Sequence, residues 1–408
     1  MREVSLTAFD SSTARRRSTA APVGVRRSQA WQQIDDLGSA RTVPCAAEER
    51  VRTAGGAGGA AGNLAARTRM LAALLLCVLA ILGTPGAAMG QGCGEGWLPG
   101  EALPGTNGVV VALAVLPGGD VIVGGNFTSA AGVAATNIAR YSPTTGVWSA
   151  LGTGTNGTVL SLAVLPGGDV LVGGSFTSAG GVAASRIARY NPTTGVWSAV
   201  GTGTNGQVSA LAVLPGGDVL VGGFFTTAGG VAATNIARYN PTTGVWSALG
   251  AGTSGTVNAL TVLPGGDVLV GGNFTTAGSV VAGGIARYNP STDVWSALGT
   301  GTNGQVSALA VLPGGDVLVG GTFTSAGGVA ATNIARHSPT TGVWSALGTG
   351  TNSQVSALAV LPGGDVLVGG GFNTAGGVAA TNIARYIPTT GVWSALGAGT
   401  SGTVNALT

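Results

Sequence analysis

The chain has no lysine, a single histidine and three cysteines in 408 residues, and only 8% of its residues are charged. Each shortage excludes a class of chemistry. With one histidine, His337 in a repeat turn phrase, and no lysine, no Ser-His-Asp triad is assigned and neither a Schiff-base lysine nor a histidine-rich zinc cluster is available. Three cysteines without a CxxC pattern give no disulfide framework or thiolate metal site. Carboxylates recur singly and far apart, so no acid/base pair can be assigned and no dense acidic calcium loop is present. Neither catalytic residues, nor a metal, nor a cofactor is expected.

Basic charge is also missing where a nucleic acid would need it. The pI of about 9.0 comes from the first 69 residues, which hold eleven of the 18 arginines and six acidic residues, a net of +5. From residue 91 onward seven arginines face nine acidic residues, a net of −2. No basic surface is left to seat phosphates, so no nucleic-acid partner is expected.

Glycine is what the chain has in excess, 75 residues against an average near 7%. The glycines alternate with Val-, Leu- and Ile-rich runs, which argues against disorder in the main body. No Gly-X-Y period appears, so the chain is not collagenous.

Residues 1–69 are rich in Ala, Arg, Ser and Gly without hydrophobic periodicity, and are expected to be disordered. The span 70–90 carries an apolar run from Leu71 to Leu82 behind Arg67 and Arg69, then small residues at Ala88 and Gly90. This is the layout of a secretory signal peptide. Twelve apolar residues fall short of the roughly 20 that span a bilayer, yet a retained single-pass anchor over 70–89 stays open as the alternative. The 69 residues ahead of the signal suggest a true start further downstream, or a basic cytoplasmic tail beside an uncleaved anchor. The expected location is secreted or cell-surface. Cys93 then stands alone in the mature chain as an incidental thiol.

The main body is a repeat. "LPGGD" ends at Asp120, Asp169, Asp218, Asp267, Asp316 and Asp365, and Trp148, Trp197, Trp246, Trp295, Trp344 and Trp393 keep the same 49-residue interval. One period, 158–200, predicts four strands: Thr158 to Leu165, Asp169 to Gly174, Arg186 to Tyr190 and Val196 to Val200. "PGG" and "NPTTG" supply the tight turns, with proline fixing φ and glycine allowing φ > 0. Runs such as "LAVL" and "VLVGG" are apolar throughout and need cover on both faces. Four strands per unit, a period of 40–50 residues and two covered faces predict an all-β fold, a β-propeller of four-stranded blades. Residues 102–402 provide six full repeats, 91–101 a lead-in strand around Trp97, and 403–408 the start of a truncated seventh repeat. An intact protein of seven or more blades is therefore an open expectation.

The residues Val170, Leu171, Val172, Gly173, Gly174, Tyr190 and Trp197 resemble a kelch repeat: a hydrophobic run ending in Gly-Gly, then Tyr and Trp. The longer phrase "IARYNPTTGVWSA" from Ile187 looks like the repeats of the fungal cortical cell-polarity marker and of bacterial exported kelch-like proteins. The resemblance covers about residues 101–402. It implies a propeller serving as a binding or surface-scaffold module, without carrying a ligand. A kelch-type copper oxidase would need a cysteine joined to a tyrosine and two histidines, which this chain lacks. In the family picture Gly173 and Gly174 let backbones approach closely, and Tyr190 and Trp197 pack within or between blades. Asp169 and Arg189, with their copies, either pair with one another or line a channel that holds an ion.

Differences between such similar copies are the remaining signal. The residue after Gly-Gly is Asn126, Ser175, Phe224, Asn273, Thr322 or Gly371. A second variable column is Asn137, Arg186, Asn235, Gly284, Asn333 and Asn382. These positions are either tolerant edges or the rim of a binding face. His337 replaces the repeat tyrosine and is read as a neutral change in a surface turn. The function expected is a non-enzymatic exported module with a protein or glycan partner. The alternative is the non-catalytic part of a larger extracellular enzyme or adhesin.

Overall fold

The computed structural model describes residues 105–408. The segments 1–69, 70–90 and 91–104, with the expected signal or anchor and the expected lead-in strand, lie outside the described residues. Among the described residues every regular element is a strand.

The first repeat sets the pattern. Its strands are β1 (Val109–Val115), β2 (Val121–Asn126), β3 (Ser129–Ala130), β4 (Val133–Ala134), β5 (Ile138–Ser142) and β6 (Val147–Ala150). Strands β1, β2, β5 and β6 form one antiparallel sheet in that order, and β3 and β4 form a two-stranded ribbon in the loop between β2 and β5. The other five repeats build the same sheet and the same ribbon. The ribbon is not evident in the sequence: "SAGGVA" is too short and glycine-rich to read as paired strands. In the second repeat the four main strands run Val159–Val164, Val170–Gly174, Ile187–Tyr190 and Trp197–Ala199, one or two residues inside the predicted bounds.

The turns follow from local chemistry. In each "LPGGD" the second glycine sits at positive φ, +86° at Gly168, and its N–H donates to the carbonyl of Leu165 at 2.8 Å. Asp169 then begins the return, where its carbonyl accepts from Leu165 at 2.8 Å.

The sheets pack face to face. The strand "VLVGG" is buried along its whole length because a neighbouring sheet covers each face. One core cluster joins Leu116, Ile122, Ile138 and Leu151 of the first sheet to Val159, Val170, Val172 and Phe176 of the second. Four further clusters repeat this arrangement at the next four junctions. The first strands of consecutive sheets lie side by side, so each sheet is a blade with its first strand innermost. After the sixth blade, Val404 is fully buried, packs over Gly369 and donates its N–H to Gly370 O at 3.1 Å. Ala406 packs on the core cluster of the first blade. Residues 403–408 thus bridge the sixth blade to the first.

Candidate functional site

The recurring residues of each repeat are used to hold blades together. Tyr190 and Trp197 are cross-strand partners on neighbouring strands, with ring centroids 4.9 Å apart and planes tilted by 46°. Such a tilted pair adds about 0.5–1.5 kcal/mol beyond its burial. The Trp197 indole N–H reaches the preceding blade and donates to Leu151 O at 3.1 Å. Trp295 and Trp344 do the same to Leu249 and Leu298. Gly180, at φ +59°, lies under Trp197, where a Cβ would stand 2.0 Å from the indole Cδ1.

The two glycines of each pair have different duties. A Cβ on Gly173 would meet Val208 Cγ1 of the next blade at 2.5 Å and Ser161 Oγ at 2.4 Å. A Cβ on Gly174 would instead meet Thr158 O of its own blade at 2.1 Å. The second constraint comes from the β-bulge that follows Val159 on the first strand.

The charges are spent locally. Arg189 Nε donates to Asp169 Oδ2 at 2.5 Å, and the same contact recurs in all six blades at 2.5–2.8 Å. Asn191 Nδ2 donates to the other Asp169 oxygen at 2.8 Å, while Asn191 Oδ1 accepts the Thr193 and Thr194 N–H groups that shape the "NPTTG" bend. One asparagine therefore ties the bend to the ion pair. Between the first two blades the end bearing these turns opens into a crevice of about 470 Å³ lined by Pro117, Pro166, Pro192, Asp120 and Arg140. Its two charges face each other in a salt bridge at 2.5 Å.

His337 is not in a surface turn. It is 4% exposed, with its ring 4.6 Å from Trp344, in the place tyrosine takes in the other blades. Burial pushes its pKa below the usual histidine value, Asp316 pulls it up and Arg287 pushes it down further. Its Nδ1 has no hydrogen-bond partner. A crevice of about 130 Å³ lies beside the ring, also lined by Leu269 and Arg287. Burial likewise raises the phenol pKa of Tyr190, opposed by Arg140 of the preceding blade.

The opposite end of the blades is where copies differ. Asn126, Ser175, Phe224, Asn273, Thr322 and Gly371 are all exposed. Each stands beside the first residue of an innermost strand: Asn126 pairs with Val109, Phe224 with Gln207, Asn273 with Thr256 and Thr322 with Gln305. Ser175 N and Gly371 N donate to Thr158 O and Gln354 O at 2.9 and 3.1 Å. The six positions thus encircle the inner edge of one face. Asparagine anchors pin the loops of this face. Asn205 Oδ1 accepts from the Thr226 and Thr227 N–H groups at 2.9 and 3.0 Å, and equivalent residues act in the other blades.

The second variable column has a structural duty that the sequence did not reveal. Asn137, Asn235, Asn333 and Asn382 sit at φ of 63–64° and donate Nδ2 to a threonine carbonyl of the next blade at 2.8–2.9 Å. Asparagine is among the residues that tolerate this conformation best. Arg186 holds the same backbone at φ 62°, and its side chain makes no such staple among the described residues.

Two family models match the chain. The one described as the Rax2 C-terminal beta propeller domain matches residues 165–264 and 247–360. A second, a beta-propeller domain of unknown function named DUF5122, matches residues 117–146. The chain is a β-propeller. No curated protein matches it. The propeller has six blades over the described residues, and among those residues no group of three or more potential metal ligands occurs and no helix is long and apolar enough to cross a membrane.

Proposed function

We propose that this propeller is a non-enzymatic, exported module that binds a partner at the cell surface or outside it, through the face that carries the variable rim. One observation carries the reading. The residues common to all blades are consumed in packing, ion pairs and turns, whereas the residues that vary after each Gly-Gly are exposed and gathered around the inner edge of one face. A rigid ring that presents variable loop-edge residues is suited to recognition.

The absence of catalysis is part of the proposal, and the side-chain commitments support it. Among the described residues the six repeat aspartates each bond an arginine, and Asp293 accepts a hydrogen bond from the Tyr288 hydroxyl at 2.7 Å. None is left free and close to another carboxylate for acid/base work. The partner class, glycan or protein, is read from the neutral, hydroxyl- and amide-rich character of the rim. Export rests on the signal-like run at 70–90.

Two measurements test this. A glycan array and a surface-protein pull-down with the full chain should return a partner whose binding is lost when several rim residues are replaced together. No partner in either assay, or binding indifferent to the rim, refutes the reading. N-terminal sequencing of the mature protein should begin close to Gly90, and a mature terminus before Leu71 refutes export.

A further inference from the structure

Two of the rim-face departures from the repeat fall on the same seam. Phe224 is the single aromatic in its column and is 65% exposed. Arg186 is the single charged residue in the other column. The first belongs to the third blade and the second to the second blade. A lone exposed phenylalanine or a lone exposed arginine would carry little. Their coincidence in a chain of near-identical repeats is the observation.

The backbone places them together. Gly174 N donates to Arg186 O at 2.9 Å, which sets Arg186 beside Ser175. Ser175 Oγ donates to Gln207 Oε1 at 3.3 Å across the seam, and Gln207 is the direct cross-strand partner of Phe224. Gln207 Nε2 then donates to Ser209 Oγ at 2.8 Å. An exposed aromatic ring, an amide and two hydroxyls therefore share this seam, and the Arg186 backbone is bonded to the strand that ends beside it.

Arg186 differs electrostatically from every other described arginine. The other six pair with aspartates, while Arg186 has no acidic partner among the described residues. The aspartates lie at the far end, beside the PGG turns, or in the "NPSTDVW" bend at that same end. A cation without a partner on an otherwise neutral surface attracts an anion.

We propose that the seam between the second and third blades binds a carbohydrate bearing an anionic substituent, a uronate carboxylate or a sulfate. A pyranose ring has an apolar C–H face, which packs on Phe224. Its hydroxyls exchange hydrogen bonds with Gln207, Ser175 and Ser209, whose amide and hydroxyl groups both donate and accept. The planar guanidinium of Arg186 offers paired N–H donors to the carboxylate or sulfate. The inference rests on the reading of this face as the binding surface and names its ligand class.

Calorimetric titration of the full chain with oligogalacturonate, dextran sulfate and neutral cellohexaose tests it. One of the two anionic probes should bind, and cellohexaose about tenfold or more weakly. Phe224→Asn should weaken every sugar by about tenfold. Arg186→Asn should erase the preference for the anionic sugar and leave the weak neutral binding. Both substitutions install residues found at the same positions in other blades, so they restore the repeat and should fold. Val343→Thr, an exposed residue of the fifth blade outside the rim, should change nothing. Failure of both anionic probes to bind, or binding indifferent to both substitutions, overturns the proposal. If binding to some other partner on the same face is found in that case, the binding role stands and only the ligand and site fall. If nothing binds at all, both fall together.

Discussion

Blade spacing is set by the first glycine of each pair, and one substitution series measures how tightly. At Gly222 a Cβ would lie 2.5 Å from Val257 Cγ1 and 3.0 Å from Val257 Cβ of the next blade. Carbon atoms prefer about 3.5–4.0 Å, so Gly222→Ala must push the third and fourth blades apart by about 1 Å or force Val257 off its rotamer. Overpacking of that kind costs about 1–3 kcal/mol. Gly223→Ala should cost at least as much, because its Cβ would meet the backbone Gln207 O at 2.0 Å, and backbone yields less readily than a side chain. Gly216, in the PGG turn, has open space around it and no unusual φ, so Gly216→Ala should fall within about 0.5 kcal/mol of the parent. Its neighbour Gly217 also has space, but stands at φ +87°, and alanine there should lose about 1 kcal/mol through backbone strain alone. Guanidinium-induced unfolding of the four variants, followed by tryptophan fluorescence, gives the ranking. If Gly222→Ala proves as harmless as Gly216→Ala, the blades are not in the contact described and the account of the Gly-Gly pair is wrong.

Trp197→Phe should cost about 1 kcal/mol more than Trp246→Phe, since Trp197 bonds Leu151 O whereas the Trp246 indole N–H is buried without a partner; equal losses in denaturant melts would remove that hydrogen bond from the account. Asp218→Ala strips partners from both Arg238 and Asn240 and should lower stability by about 1–2 kcal/mol, with Asp218→Asn recovering part of it. A loss in Asp218→Ala below experimental error would show the pair to be an idle surface contact. His337→Tyr should fill the small crevice beside the ring and raise the melting temperature by a few degrees, by an amount that grows on acidification. The folded-state pKa of His337 lies below 6.5, so as pH falls through that value the unfolded chain takes up the proton first and the native state loses stability. Melting curves of parent and variant that stay parallel from pH 7 down to pH 5 would contradict this.

The repeat made most of the scaffold legible, because a period kept through six copies without insertion exposes every position that the fold requires. The four main strands could be read from apolar runs and turn residues, and the cover on both faces from the lack of alternation in "VLVGG". Pairing of Asp169 with Arg189 was one of two readings that the sequence allowed. What decides between them is that Arg189 lies directly across from Leu171, close to where Asp169 starts that strand, which is a matter of register. The ribbon of Ser178–Ala179 with Val182–Ala183 was illegible because two-residue strands carry no periodicity. His337 shows the opposite failure. A change from the repeat residue next to a turn sequence looks like surface drift, yet the position is a buried partner of Trp344, and variation there marks a small packing defect. Asn137 and Arg186 show why a column of differences cannot be read by itself. Four asparagines in that column are interblade staples at positive φ, so the variation is tolerated only where the staple is dispensable. Arg186 gives up the staple and puts a cationic residue beside Ser175, whose hydroxyl bonds Gln207, the cross-strand partner of Phe224. Where a structural residue is surrendered at the same seam that gains an exposed aromatic, tolerance alone explains neither change well. That pairing, invisible until the register is known, directs attention to the second and third blades rather than to the ring as a whole.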